Sequence, residues 1–287
     1  MRGSGALTAI CVALSLAAGV AARAEGPARR VVSLNPSLTA MAIAIGARGQ
    51  LVGVDDYSAR MPEAAGLPTV GGLYDPSLEA VIGLAPDLVV LVVSAEQRGF
   101  RERLEALGVP CLALAPVSFD EVLGALETLG AKLGREREAA ARVAAIRRTR
   151  ARVEAAASGL PVLRGVLLLQ RDPLFAAGGG TFVDEMLRAL RVENLASAQP
   201  GPWPRLSREW LLAAAPELIL DASPGTEPAA AYWARWPSLP AVAKGAVTDI
   251  PEGVTTLPGP ALDEALLVLA AAARGPAFAA ALREAPP

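Results

Sequence analysis

The sequence contains no histidine. That absence removes Ser-His-Asp and Cys-His catalysis, histidine-ligated haem and imidazole-rich zinc sites, and with them most hydrolytic mechanisms. Cysteine is almost as scarce, with Cys11 and Cys111 only. Cys11 lies in an N-terminal apolar run expected to be removed, which leaves Cys111 without an intramolecular disulfide partner. The run Val109-Pro110-Cys111-Leu112-Ala113-Leu114 reads as an interior strand, so a buried, inert thiol is expected. Lysine occurs only as Lys132 and Lys244, and the net charge is -2, which argues against a nucleic-acid surface. Past the N-terminal segment no run is long and apolar enough to span a bilayer.

What is present is apolar mass. The 287 residues are 53% hydrophobic, enough for one large or two medium domains, and the mean hydropathy of +0.38 is raised by Ala, Val and Leu. Residues 1–24 stand apart. Arg2 gives a positive start, Ala6 to Val20 is nearly all apolar, and Ala22-Arg23-Ala24 supplies small residues two apart. This is the layout of a cleavable secretory signal, with a retained anchor as the alternative. Cys11, preceded by bulky Ile10 inside the apolar run, is not expected to carry a lipid. The mature protein is expected to be exported, soluble and monomeric.

The mature chain contains an internal repeat. Asp75-Pro76-Ser77-Leu78-Glu79 leads into an apolar helix turn, Ala85-Pro86-Asp87, and the apolar run from Leu88. Arg208-Glu209 likewise leads into an apolar turn, Ala215-Pro216-Glu217, and Leu218-Ile219-Leu220. Glu79 matches Glu209, Pro86 matches Pro216 and Asp87 matches Glu217 at one fixed offset. Proline lacks an amide hydrogen and forces the preceding residue out of the helical region, so each helix must stop there. So long a period predicts two similar lobes and a cleft between them. The strand–helix alternation predicts an α/β fold with mainly parallel sheets and helices on both faces. The expected division is an N-terminal lobe over 25–134, a long helix over 135–158 and a C-terminal lobe over 159–287. On that helix Val143, Ile146 and Val153 with intervening alanines give one apolar stripe, and the other face, with Arg142, Arg147, Arg148, Arg150 and Arg152, is expected to be solvated; export and near-neutral charge argue against a DNA-binding helix.

Candidate site residues fall where strands give way to helices. Asn35-Pro36-Ser37-Leu38-Thr39 follows the strand Val31 to Leu34, either as a ligand-facing turn or simply as a helix start capped by Ser37 or Thr39. Ser118 and Glu121 read as a capping box, and Thr181 as the cap of a later helix. Gly178-Gly179-Gly180 lacks the Lys-Ser/Thr of a phosphate loop, so a flexible loop at the cleft edge is expected. Trp203, stiffened by Pro202 and Pro204, is either packed or a ligand wall. Among only 12 aromatics (5 Phe, 4 Trp, 3 Tyr), Tyr57, Tyr74, Phe175 and Trp203 are all expected in loops, offering flat apolar area to a bulky planar or macrocyclic ligand.

These residues together resemble the periplasmic binding proteins for vitamin B12 and iron–siderophore complexes, the substrate receptors of ATP-driven importers. Arg30-Val31-Val32-Ser33-Leu34-Asn35-Pro36-Ser37-Leu38-Thr39, Leu51-Val52-Gly53-Val54, and Val70-Gly71-Gly72 with Leu78-Glu79 are similar to the family's N-lobe motifs. Val54-Asp55-Asp56-Tyr57-Ser58 and Gly201-Pro202-Trp203-Pro204-Arg205-Leu206-Ser207-Arg208-Glu209 are closest to the vitamin B12 receptors. The resemblance implies a class III arrangement: two α/β lobes joined by one rigid helix, a ligand held between them with little hinge closure, and no enzymatic activity or resident cofactor. It implies a cobalamin or related corrinoid ligand, with Asn35, Pro36, Tyr57, Tyr74, Phe175, Trp203, Arg205, Thr255 and Thr256 as candidate contacts. It also implies that Glu79 and Glu209 dock onto arginines of a dimeric inner-membrane ABC permease with its ATPase. Without the resemblance, each glutamate is equally an ordinary first-turn acid favoured by the helix dipole. Two departures stand out. Ala40 occupies the position where the family's helix start usually carries glutamate, and Pro251 to Pro258 lacks the acid and arginine that B12 receptors place near the corrin amides. Two other readings follow. With the same fold the ligand would be a ferric siderophore or haem, met by Arg171, Arg205, Tyr57 or Tyr74. An exported enzyme would use Asp55, Asp56 or Asp172 as acid and base.

Overall fold

The computed structural model describes residues 26–284 apart from 94, 252, 255 and 256, and only the backbone of 95–98. The expected leader lies outside the described residues. Among those described, no helix is long and apolar enough to cross a membrane.

The first half of the chain runs β1 (Val31–Ser33), α1 (Pro36–Ala44), β2 (Leu51–Val54), α2 (Leu78–Gly83), β3 (Leu88–Val92), α3 (Ala95–Ala106), β4 (Cys111–Leu114) and α4 (Phe119–Leu133). Its strands form a parallel sheet in the order β2-β1-β3-β4. The central strand β3 is buried along almost its whole length, as its unbroken β-branched run requires. β4 is not interior: it closes the sheet as an edge strand, and each of its residues is only half-buried. Cys111 is accordingly half-buried, its Sγ 3.7 Å from the Val109 carbonyl.

A long helix, α5 (Glu136–Ala157), leads to the second half. This runs β5 (Leu163–Arg171), β6 (Leu174–Ala176), α6 (Phe182–Ala189), β7 (Val192–Asn194), α7 (Arg208–Ala214), β8 (Leu218–Asp221), α8 (Ala229–Trp233), α9 (Pro240–Ala243), β9 (Val247–Asp249), α10 (Leu262–Arg274) and α11 (Pro276–Glu284). β7, β5, β8 and β9 pair in parallel in that order, which repeats the topology of the first sheet. The second sheet adds β6, a short antiparallel strand on the far half of β5.

α5 buries Ala139, Val143, Ile146, Val153 and Ala157, the apolar stripe read from the sequence. Its opposite face is not uniformly solvated. Arg142 makes a bidentate pair with Asp263 and donates to the Pro260 carbonyl, while Arg150 pairs with Glu154 and with Glu185 of α6 and lies over the Phe119 ring. Only Arg147 and Arg148 of the five are fully exposed. The two halves share one apolar cluster that runs from α1 and α4 through α5 to α6 and α10. Backbone bonds cross the same seam: Phe182 N–H donates to the Val117 carbonyl at 2.8 Å, and Phe119 N–H donates to Glu185 at 2.9 Å. Relative movement of the halves would expose packed apolar surface at roughly 25 cal/mol per Å² and break paired charges, so the seam is stiff.

Candidate functional site

In open parallel sheets the carboxyl ends of the strands are where ligands gather. Asn35 follows β1 and Tyr57 follows β2; the β5–β6 hairpin carries Phe175.

On the first lobe, Asn35 is the cap of α1, its side chain accepting from the Ser37 amide at 2.9 Å, and Pro36 occupies the first turn. The expected caps Ser37 and Thr39 are instead buried. The Thr39 hydroxyl lies 2.8 Å from those of Ser33 and Ser58, and Ser58 in turn donates to Asp55. Asp55 is wholly buried and accepts the amides of Tyr57 and Ser58 at 2.9 and 3.0 Å. It is the anchor of the turn that holds out Tyr57, and its carboxylate has no access to the cleft as an acid or base. Tyr57 and Tyr74 are 49% and 68% exposed, with the Arg60 guanidinium 5.0 Å from the Tyr57 ring.

On the second lobe, Phe175 lies at the centre of β6, not in a loop, and is half-buried. The segment 202–206 runs antiparallel beside that strand: Ala176 N–H donates to the Pro204 carbonyl at 3.1 Å and Leu206 N–H to the Leu174 carbonyl at 2.8 Å, bringing Phe175 opposite Arg205. Trp203 is both packed and available. Its ring meets buried Phe182 edge-on at 6.3 Å, yet the residue is 38% exposed. The glycine run beneath it is tightly packed where a flexible loop was expected. A Cβ on Gly178 would lie 2.5 Å from the Gly201 carbonyl oxygen, and one on Gly179 2.5 Å from that of Ser197. Glycine is required at 178 so that the tryptophan loop can press onto the α6 entry, and at 179 so that the backbone at Ser197 can approach.

Of the two arginines suggested for an anionic chelate, Arg171 is already engaged. Its Nε donates to Asp221 at 2.9 Å, an Nη donates to the Glu227 carbonyl, and its guanidinium stacks on Tyr232. Asp221, 2% exposed, also accepts from the Trp233 indole at 2.7 Å. Arg205 is exposed and has no hydrogen-bond or ion-pair partner for its side chain among the described residues. Thr255 and Thr256 lie outside the described residues. Ala40 lines a cavity of about 280 Å³ with Val254, Leu257 and Ala265, room that a longer side chain on α1 would fill.

The repeated helices match in detail. Ser77 caps α2 and Ser207 caps α7, each accepting from the amide three residues on. Ala85 and Ala215 both take the left-handed conformation, φ 46° and 47°, immediately before proline. Arg30 donates to the Leu84 carbonyl and Arg164 to the Ala214 carbonyl, so an arginine closes the same point of each helix. Glu79 and Glu209 are each the second residue of their helix and are exposed. The Glu209 carboxyl is held below its ordinary value by its own amide, by the Ser207 hydroxyl and by the Arg208 guanidinium. The sequence reading did not single out the Arg171–Asp221–Trp233 cluster or its neighbours Tyr232 and Trp236. Three aromatics within Tyr232-Trp233-Ala234-Arg235-Trp236, in so aromatic-poor a chain, were the available signal.

Two parallel-sheet lobes of the same topology, joined by one long helix with a shared apolar seam, define a two-lobed solute-binding protein. The chain belongs to the periplasmic binding protein family, whose profile matches residues 31–253. The vitamin B12-binding protein of Salmonella choleraesuis (strain SC-B67) is 29% identical over 217 residues, 75% of this chain and 81% of that protein. The crystal structure of the periplasmic vitamin B12 binding protein of Vibrio cholerae superposes with a TM-score of 0.75 at 22% identity, over 90% of this chain and 99% of that one. The apo periplasmic haem-binding protein of Roseiflexus sp. RS-1 superposes at 0.73 with 26% identity, over 90% of this chain and 100% of that one.

Proposed function

We propose that this chain is the exported, periplasmic receptor of an ABC importer. It holds cobalamin or a related corrinoid between its lobes and delivers it to the permease, onto which Glu79 and Glu209 dock. The observation that carries the reading is the set of flat, exposed rings offered from both lobes, Tyr57 and Tyr74 from one and Trp203 from the other. Relatives named for vitamin B12 binding support the choice of ligand. A wide macrocycle with few charges is matched by such area, since aromatic surface binds at little cost in side-chain entropy. The stiff seam supports binding with little closure, and Asn35, Pro36, Phe175, Thr255 and Thr256 complete the proposed contacts. With Asp55 buried in a turn, the carboxylate enzyme reading loses its central residue.

A second reading keeps the receptor and changes the ligand to haem or a ferric siderophore. The haem-binding structural relative and the exposed tyrosines favour it; Arg171, already paired with Asp221, does not contribute to it. Spectroscopic titration of the ligand-free protein with cyanocobalamin, haemin and a ferric hydroxamate separates the readings. The proposal expects saturation by cyanocobalamin and no protein-induced Soret shift. Saturation by haemin or the hydroxamate alone would replace the ligand.

A further inference from the structure

The repeat that makes the two docking helices alike also shows where they differ. Aligned at the offset that places Glu79 on Glu209, Asp75 falls on Arg205 and Leu78 on Arg208, with the capping serines between them in register. The tip of the first lobe therefore carries Asp75 and Glu79 and no cation at these positions. The tip of the second carries two arginines around its glutamate.

These arginines line a polar cavity of about 260 Å³ that also receives Asp172 and Glu209. Arg171 lines it too, but its charge is balanced by Asp221. Arg208 lies 3.8 Å from Asp172 and over the Trp236 ring at 5.8 Å. Arg205 has no partner among the described residues. In solvent an exposed, loosely paired arginine costs little. Under a docked protein the water leaves, and an arginine brought in to meet Glu209 would face Arg205 and Arg208. Asp172 and Glu209 then balance only two of the three cations. Leaving a charge unpaired at a desolvated interface is strongly unfavourable, and like charges brought together work against docking.

We infer that this cavity is a socket for an acidic side chain of the permease, which enters beside the arginine that meets Glu209 and pairs with Arg205 and Arg208. The inference rests on the receptor reading above and deepens it: the first lobe asks only for a cation, whereas the second asks for a cation and an acid together. It gives to the partner Arg205, which the resemblance alone implied as a ligand contact.

The test uses the full receptor with its importer, comparing wild type with Arg205→Glu/Arg208→Glu and the milder Arg205→Ala/Arg208→Ala. Cyanocobalamin affinity is read by titration, and ATP-driven uptake by reconstituted permease. The charge reversal is expected to leave affinity within about twofold and cut uptake by about tenfold or more, the alanine pair falling between. Reversing the socket's permease acid to arginine should restore uptake to the reversed receptor. Loss of ligand affinity in step with uptake would overturn the socket by returning the arginines to the ligand. Uptake unchanged by either pair would overturn it as well. A wild-type receptor that binds no corrinoid would instead remove the proposed function on which the socket stands.

Discussion

The two lobes use one plan with different reinforcement. Each ends a short helix with a left-handed alanine before proline, caps it with serine at one end and arginine at the other, and exposes a glutamate in its first turn. Beneath that shared tip the first lobe is held by neutral groups: a buried Asp55 satisfied by amides and a hydroxyl. The second is held by charge and aromatic stacking. Arg171 lies on Asp221 and Tyr232, Arg235 stacks on Tyr232, and Trp236 packs against Trp233. The lobe that carries cations at its helix tip thus has an inner set of cations tied down beneath it. The repeat presents the same surface twice, and the flanking charges distinguish the two copies.

Breaking the common part has the largest expected effect. Glu79→Arg with Glu209→Arg should abolish uptake while leaving the cobalamin dissociation constant unchanged, because the proposal gives the tips to the permease and the cleft to the ligand; an equal loss of affinity would refute that division. Breaking the inner supports should sharpen the contrast. Asp221→Asn leaves Arg171 without its buried counter-ion, at a cost of about 3–5 kcal/mol in chemical denaturation. Asp55→Asn removes a charge held only by neutral donors and should cost about 1–3 kcal/mol. Equal losses would show that the two supports do not differ in kind.

The cleft comes next. Trp203→Ala should weaken a planar ligand by about 1–3 kcal/mol in calorimetry, the scale of a buried aromatic anchor, with its packing on Phe182 a smaller part. An unchanged dissociation constant would leave Trp203 a packing residue. The smallest effect lies in the capping box of α4, where the Ser118 backbone and side chain and the Val117 amide hold Glu121 below its ordinary 4.5. A depressed carboxylate adds stability above its unfolded value and loses it as pH falls through the folded one. Thermal melts of Glu121→Gln and wild type should therefore differ modestly at neutral pH and converge in acid.

The fold was legible where chain chemistry is local. Ala-Pro stops, the capping box at Ser118 and the β-branched run at Leu88 each act within a few residues, and each appears as expected, whereas the cap of α1 falls on Asn35 in place of Ser37 or Thr39. Contacts made at a distance were not legible. The chain leaves β4 on an edge because only β3 pairs with it, and Phe175 lies in a strand because it pairs with Gln170 in its own hairpin and with distant Arg205 on the other side. Gly178 and Gly179 are tightly packed because the Trp203 loop and Ser197 close on them, and Arg142 and Arg150 are engaged because α10 and α6 return to α5. For the site, the exposed aromatics and the paired glutamates were readable by type and place. The engagement of Arg171 and the burial of Asp55 were not, since both depend on which neighbour claims the charge.

The most direct test of the central claim is calorimetric titration of residues 25–287, purified free of ligand, with cyanocobalamin. One-to-one binding, lost in part with Trp203→Ala and kept with the tip glutamates reversed, is the predicted result. No heat of binding from a protein shown to be folded would contradict the corrinoid assignment.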